Sequence, residues 1–217
     1  MDIEQARYNM VEQQIRPWDV LDQNVLDLLF KVRREDFVPE AHRNLAFVDM
    51  EIPLGHGESM WTPKLEARAV QELDLRPTDR VLEIGTGSGY LTALLAAEAA
   101  EVVSVDILPY FTTTAGQKLR AHGISNVQLH TGDAACDWDD ASGFDVIILT
   151  GSTPLLSDAL VRRLRVGGRL FAIVGEAPVM QAQLVTCTAP GAYRSVTLFE
   201  TCVKALVNAP HPAAFVF

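Results

Sequence analysis

The sequence predicts an α/β fold: a doubly wound, mostly parallel seven-stranded sheet with an N-terminal helical extension. Three observations carry this. From about residue 63 to residue 174, short apolar runs alternate with helix-forming runs, the pattern of a parallel sheet with a helix layer on each face. One apolar run, Val81-Leu82-Glu83-Ile84, breaks onto three alternate glycines, Gly85, Gly87 and Gly89, and restarts as the helix-forming run Leu91 to Ala96. The last two strand-like runs, 182–189 and 193–206, are joined by Pro190-Gly191 and close the sheet as an antiparallel hairpin.

Taken in order, residues 4–15 read as a helix with Met10, Val11 and Ile15 on its apolar face, ended by Arg16-Pro17 because the residue before proline is pushed out of the α region. Asp19 or Asp22 can cap a second helix carrying Val25, Leu26, Leu28, Leu29 and Val32. A polar break runs through Arg33 to Pro39. Residues 45–63 read as a long loop punctuated by Pro53, Gly55, Gly57 and Pro63. The core follows as helix 63–75, strand 80–84, helix 89–98, strand 102–106, helix 110–122, strand 126–131, strand 144–149 and helix 157–165. Gly167-Gly168 then turns the chain into strand 169–174. The near-continuous apolar run of 144–149 suits a central parallel position.

Bulk composition narrows the function classes. A chain of 217 residues with 48% hydrophobic content is a well-folded globule, long enough for a substantial core. No run approaches the ~18 apolar residues of a membrane helix, and the N-terminus lacks a signal-peptide layout. Cys136, Cys187 and Cys202 are odd in number and scattered, which fits reduced thiols in a cytoplasmic protein and no metal site. A net charge of −10 disfavours binding along a nucleic-acid backbone.

The glycines identify the ligand class. A strand that breaks on glycine and restarts as a helix presents bare backbone N–H groups, and glycine lets a ligand approach closely. The spacing is G-x-G-x-G, and Tyr90 stands where a dinucleotide fingerprint needs a third small residue. A P-loop is excluded on spacing. Asp106 ends the second core strand, about 20 residues past the glycines, where a carboxylate can accept both ribose hydroxyls. Asp133 follows the third strand directly after Gly132. Acids at the carboxyl ends of successive strands face the crevice where such sheets bind ligands. With neither a pyrophosphate fingerprint nor a 2′-phosphate site, the ligand matched is S-adenosyl-L-methionine. Asp106 grips its ribose, Gly85 to Gly89 underlie its methionine end, and Asp133 lies near its adenine.

The run Val81 to Tyr90 resembles the first motif of the protein-L-isoaspartate O-methyltransferases. The resemblance extends through Met10 to Ile15, Val20 to Asp22, Asp36 to Pro39, Asp49 to Gly55, Asn126-Val127, Gly132-Asp133, Phe144-Asp145 and Leu164 to Gly168, covering roughly residues 8–175. It implies a Rossmann-like class I S-adenosyl-L-methionine-dependent methyltransferase, a single domain over 1–217. Residues 1–62 are then a helical cap with substrate loop, and 63–217 the cofactor-binding core. It further implies methyl transfer to the α-carboxylate of isoaspartyl residues in damaged proteins, after which the ester collapses to a succinimide. The candidate cofactor site is Glu83, Gly85, Thr86, Gly87, Ser88, Gly89, Asp106, Ile107, Asp133 and Ala134.

Departures from the family pattern fall on the substrate side. The family's substrate loop runs approximately Gly-Gln-Thr-Ile-Ser-x-Pro, and its serine belongs to the active site. Here the loop is Gly57-Glu58-Ser59-Met60-Trp61-Thr62-Pro63, which places Trp61 at the serine position. The family's Phe-Val-Pro-Leu run near the C-terminus is replaced by Cys202-Val203-Lys204-Ala205-Leu206, and a small-residue strip becomes Thr150-Gly151-Ser152-Thr153. Trp61, Ser59 and Thr62 are the catalytic-loop candidates, with Trp61 read alternatively as a lid or core aromatic covering the cofactor. His56 and Glu58 read as solvent-exposed loop residues. Three functions remain: an isoaspartyl methyltransferase with a variant loop, a diverged methyltransferase for another carboxylate or small molecule, and a cofactor-binding protein without transfer activity. An open groove beside Trp61 favours the first, and a closed apolar pocket the second.

Overall fold

Residues 2–212 are described in the computed structural model; Met1 and 213–217, included in the expected domain span, lie outside the described residues. A seven-stranded sheet forms the core, built from β3 (Arg80–Ile84), β4 (Glu101–Asp106), β5 (Val127–Thr131), β6 (Phe144–Thr153), β7 (Leu164–Glu176), β8 (Val179–Ala189) and β9 (Ala192–Thr201). Their spatial order is β5-β4-β3-β6-β7-β8-β9. Pairing is parallel from β5 through β7 and antiparallel for β7–β8 and β8–β9. The chain moves outward from β3 in one direction, then returns to place β6 on its other side. That reversal opens a crevice at the carboxyl end of β3.

The two faces of the sheet are covered unequally. Val81, Val102, Val146, Ile148 and Phe171 share one cluster with the N-terminal segment and with α3 (Pro63–Leu73), α4 (Tyr90–Glu98) and α5 (Pro109–Ala121). The alternate residues Leu82, Val103, Ile147, Leu149 and Leu170 form the other face. Among the described residues it is covered more thinly, by the short α6 (Asp158–Arg162), the segment around Ala134 and Trp138, and Leu206. The strand period of two sorts these residues.

The N-terminal segment is more irregular than its apolar spacing suggests. α1 (Ile3–Met10) passes into a π-helical stretch, Val11–Ile15, and a 3-10 turn, Arg16–Trp18. Pro17 therefore does not end the helical path; its missing N–H is tolerated at the start of the 3-10 turn, and the turn stops at left-handed Asp19. Asp22 caps α2 (Gln23–Lys31), accepting the Asn24 N–H at 2.8 Å, so Asp19 is not the cap.

Two further expectations change. Within the stretch read as loop, β1 (Ile52–Gly55) and β2 (Glu58–Met60) pair as an antiparallel hairpin around left-handed Gly55, His56 and Gly57. Gly167 and Gly168 do not start β7 but lie inside it, where the register against β6 slips between Phe144 and Val146. A Cβ on Gly168 would approach Arg165 O at 2.8 Å and Asp145 O at 3.0 Å, which is why this bulge carries glycine.

Arg34 joins the N-terminal segment to the core. Its guanidinium is 1% exposed and donates to Glu66 Oε2 (2.9 Å), Ala46 O (2.7 Å) and Trp61 O (2.7 Å). It also lies over the ring of Tyr90, which packs against Phe37. Tyr90, the residue that breaks the dinucleotide fingerprint, thus belongs to the contact between α4 and the cap. Arg34→Met should lower unfolding free energy by about 3–5 kcal/mol, since it strands a buried acid and two carbonyls. A denaturant titration showing a loss below about 1 kcal/mol would contradict this.

A second buried acid lies in β3. Glu83 is fully buried; Thr92 Oγ1 (2.5 Å) and Ser104 Oγ (2.6 Å) both donate to its Oε2, while Oε1 has no partner among the described residues. Burial pushes its carboxyl from the ordinary 4.5 up to about 8, against the pull of the two hydroxyls. The folded chain therefore holds a proton that the unfolded chain releases near 4.5, and stability falls as pH rises from there through about 8. Burial pushes Glu66 up to about 7, so it acts in the same direction over a narrower range. Glu83→Gln should flatten the fall in melting temperature between about pH 6 and about pH 8. Parallel pH profiles for the variant and the parent would count against a buried protonated Glu83.

Candidate active site

An open cleft lies at the carboxyl ends of β3, β4, β5 and β6. Gly85, Gly87, Asp106, Ile107, Asp133 and Ala134 line it, together with Ser59 and Trp61. A smaller recess shares Ser59, Trp61, Gly85 and Gly87 and adds Thr86 and Ser88. Three expected residues line neither. Glu83 is buried beneath the turn. Gly89 is the left-handed N-cap of α4, and a Cβ on it would meet Ala115 Cβ at 2.9 Å, so its role is helix packing. Thr62 is the N-cap residue of α3, where its carbonyl accepts the Leu65 and Glu66 N–H groups.

The geometry of the turn follows from two contacts. Asp106 is 7% exposed; its Oδ2 accepts the Gly87 N–H (3.0 Å) and its Oδ1 the Leu108 N–H (2.9 Å). Burial raises its pKa, and these two backbone donors pull the other way. Each oxygen retains a lone pair beyond its backbone bond. On the other side, Thr150 Oγ1 donates to Ile84 O (3.0 Å) and Gly85 O (2.8 Å). A Cβ on Gly85 would fall 2.0 Å from that hydroxyl, and its φ of 102° is open to glycine alone. Beneath the turn, Thr86 Oγ1 meets Ser104 Oγ at 2.6 Å and continues the hydroxyl chain to Glu83.

The mouth of the cleft is built by the β1–β2 hairpin, which carries part of the expected substrate loop, and by the divergent C-terminal segment. The β1–β2 hairpin lies across it, with His56 packed on Tyr110 at 4.6 Å and Ser59 Oγ donating to Glu51 Oε2 at 2.7 Å. Segment 203–209 returns along the end of β6, where Ser152 N donates to Lys204 O and Leu206 N to Ser152 O, each at 2.9 Å. Leu206 packs on Gly151, where a Cβ would lie 2.9 Å from Leu206 Cδ2. Lys204 Nζ then bridges to the hairpin, donating to Glu58 Oε1 (2.6 Å) and Gly57 O (2.9 Å). Glu58 is therefore half-buried and paired, not a free loop acid. Asp133 is tied to the same segment through Asn208 Nδ2 at 2.7 Å. The strip Thr150 to Thr153 and the run Cys202 to Leu206 stood out in the sequence as departures, without a sign that they pack on each other.

Trp61 is 7% exposed, with its ring edge-on to Phe171 at 6.4 Å and its carbonyl held by Arg34. It forms a core wall of the cleft without closing it. Glu51, Glu58, Asp106 and Asp133 give the lining four acids against one cation, Lys204. That charge pattern does not suit a pyrophosphate. It does suit an adenosyl group: the Asp106 oxygens offer acceptors for a diol, Ile107, Leu108 and Phe111 form an apolar wall, and Asp133 can accept from a base amino group. Among the described residues no group of three or more His, Cys, Asp or Glu could hold a metal ion, and no helix is long and apolar enough to cross a membrane.

Comparison with known proteins points to one family. The family model for protein-L-isoaspartate(D-aspartate) O-methyltransferase (PCMT) matches residues 5–202. Protein-L-isoaspartate O-methyltransferase 1 of Rhodopseudomonas palustris (strain HaA2) is 40% identical over 169 residues, 78% of this chain and 69% of the relative. Protein-L-isoaspartate O-methyltransferase 2 of Marinobacter nauticus is 35% identical over 197 residues, 90% of each chain. A Plasmodium falciparum protein-L-isoaspartate O-methyltransferase, solved in complex with S-adenosyl-L-homocysteine, superposes with a TM-score of 0.77 over 92% of this chain and 97% of that one; at 19% identity this speaks to the fold alone. The family match spans the cap, the glycine turn and the sheet, and the chain belongs to the protein-L-isoaspartate(D-aspartate) O-methyltransferase family.

Proposed function

We propose that this protein is an S-adenosyl-L-methionine-dependent O-methyltransferase that esterifies the α-carboxylate of isoaspartyl residues in damaged polypeptides. The observation that carries the proposal is the convergence, in a chain of this family, of the glycine turn, Asp106, Asp133 and the 57–63 loop on one cleft. A single domain performs the function, with residues 1–62 as cap and substrate loop and 63–217 as cofactor-binding core. The bound cofactor supplies an electrophilic methyl group on a sulfonium.

The chain's own residues bind and orient. Asp106 takes the ribose hydroxyls, Gly85 and Gly87 admit the methionine end, Thr86 and Ser88 line the adjoining recess, and Ile107, Asp133 and Ala134 hold the base. A carboxylate acceptor is already ionised at neutral pH, with an ordinary pKa of roughly 4, so its methylation calls for alignment and little general-base help. The absence of histidine from the described lining of the cleft is compatible with that chemistry. Trp61 packs against Phe171 and leaves the cleft open, which supports a polypeptide acceptor. Acid-rich lining and a net charge of −10 speak against a nucleic-acid partner, and three free cysteines support a cytoplasmic setting.

Trp61 at the serine position favours one second reading, a smaller carboxylate acceptor. The test is transfer of labelled methyl to an isoaspartyl peptide, its normal aspartyl twin and a set of small free carboxylates. Label should enter the isoaspartyl peptide and not the twin, with low turnover because Trp61 offers no hydroxyl. Label confined to small carboxylates would establish the second reading. Cofactor binding with no label in any acceptor would leave a binding protein without transfer activity.

A further inference from the structure

We infer that Lys204 is the cation that receives the acceptor carboxylate, a role carried by the C-terminal segment. This rests on the proposed reaction and deepens it. An anion entering the cleft meets Glu51, Glu58, Asp106 and Asp133, and Lys204 is the one basic residue among the described lining. Without it, like charges at the mouth would repel a carboxylate. The hydroxyl and ring candidates of the substrate loop are engaged elsewhere. Ser59 donates its proton to Glu51, Thr62 lies outside the cleft at the start of α3, and Trp61 is built into the core.

Lys204 is placed and held for the task. Its Nζ donates to Glu58 Oε1 and Gly57 O, which uses two of three ammonium donors and leaves one for a ligand. Its side chain is half exposed on a flexible stem, and its backbone carbonyl is anchored to Ser152 N at the end of β6. Glu58 holds the ammonium at the mouth and competes with an incoming carboxylate for it. The family match ends at residue 202, so Lys204 is a feature of this chain beyond the matched region.

Equilibrium titration of an isoaspartyl peptide, and of its twin with the α-carboxylate amidated, into protein saturated with S-adenosylhomocysteine tests the inference independently of turnover. Lys204→Gln should weaken the carboxylate peptide roughly tenfold, leave the amidated twin unchanged, and be rescued by Lys204→Arg. Glu58→Gln should act in the opposite sense and tighten the carboxylate peptide, because it removes both a competitor and a repelling charge. If Lys204 serves only to latch the hairpin, both variants weaken both peptides alike, and the inference fails. Loss of S-adenosylhomocysteine affinity in Lys204→Gln would place the lysine on the cofactor and also overturn it. Charge-selective binding with no methyl transfer by the parent would refute the proposed reaction while leaving Lys204 as the carboxylate site.

Discussion

The bond from Gly87 N–H to the Asp106 carboxylate is the constraint on which the site depends. It ties the turn after β3 to the end of β4, so two strand ends share one rigid junction. A second backbone donor, Leu108 N–H, fixes the other carboxylate oxygen and sets the path of the chain into α5. Asp106 is thereby a structural brace as well as a ligand-facing acid. Burial penalises the charge and keeps its pKa raised, and the two N–H groups offset part of that penalty before any ligand arrives. Preorganisation of this kind lowers what binding must later spend on ordering.

Around that junction the chain divides into a regular cofactor half and an idiosyncratic acceptor half. The cofactor half rests on parallel strands and on a hydroxyl chain, Thr86–Ser104–Glu83–Thr92, buried beneath the turn. The acceptor half is assembled from distant segments by polar contacts. Arg34 fixes the backbone at Trp61 from the N-terminal side, and Lys204 fixes the hairpin from the C-terminal side. The first contact is buried and resists change, while the second is half exposed and open to competition by a ligand.

The strands and the cleft-lining residues at their ends were legible because their signals are local. Apolar runs such as Val146 to Leu149 announce central strands, and Gly85, Gly87 and Asp106 stand at strand ends where the fold needs them. The hairpin at 52–60 escaped notice because its strands are four and three residues long and one contains Pro53, too short for a period to register. Gly167-Gly168 looks like a turn, and only the partner strand reveals a bulge. Gly89 belongs to the same spaced triplet as Gly85, yet its constraint comes from Ala115 on another helix. The Lys204–Glu58 contact joins residues 146 positions apart, and nothing in the intervening sequence encodes that meeting. Charge at the mouth of a cleft is a tertiary property.

We expect the glycine turn and Asp106 to act as one cofactor-binding unit. Calorimetric titration of S-adenosylmethionine into the parent and into Asp106→Ala and Asp106→Asn, with near-ultraviolet circular dichroism confirming intact packing, tests it most directly. The parent should show saturable one-site binding, and both variants should lose at least roughly tenfold in affinity, since each loses a charged acceptor. Equal affinity in a folded Asp106→Ala would contradict it.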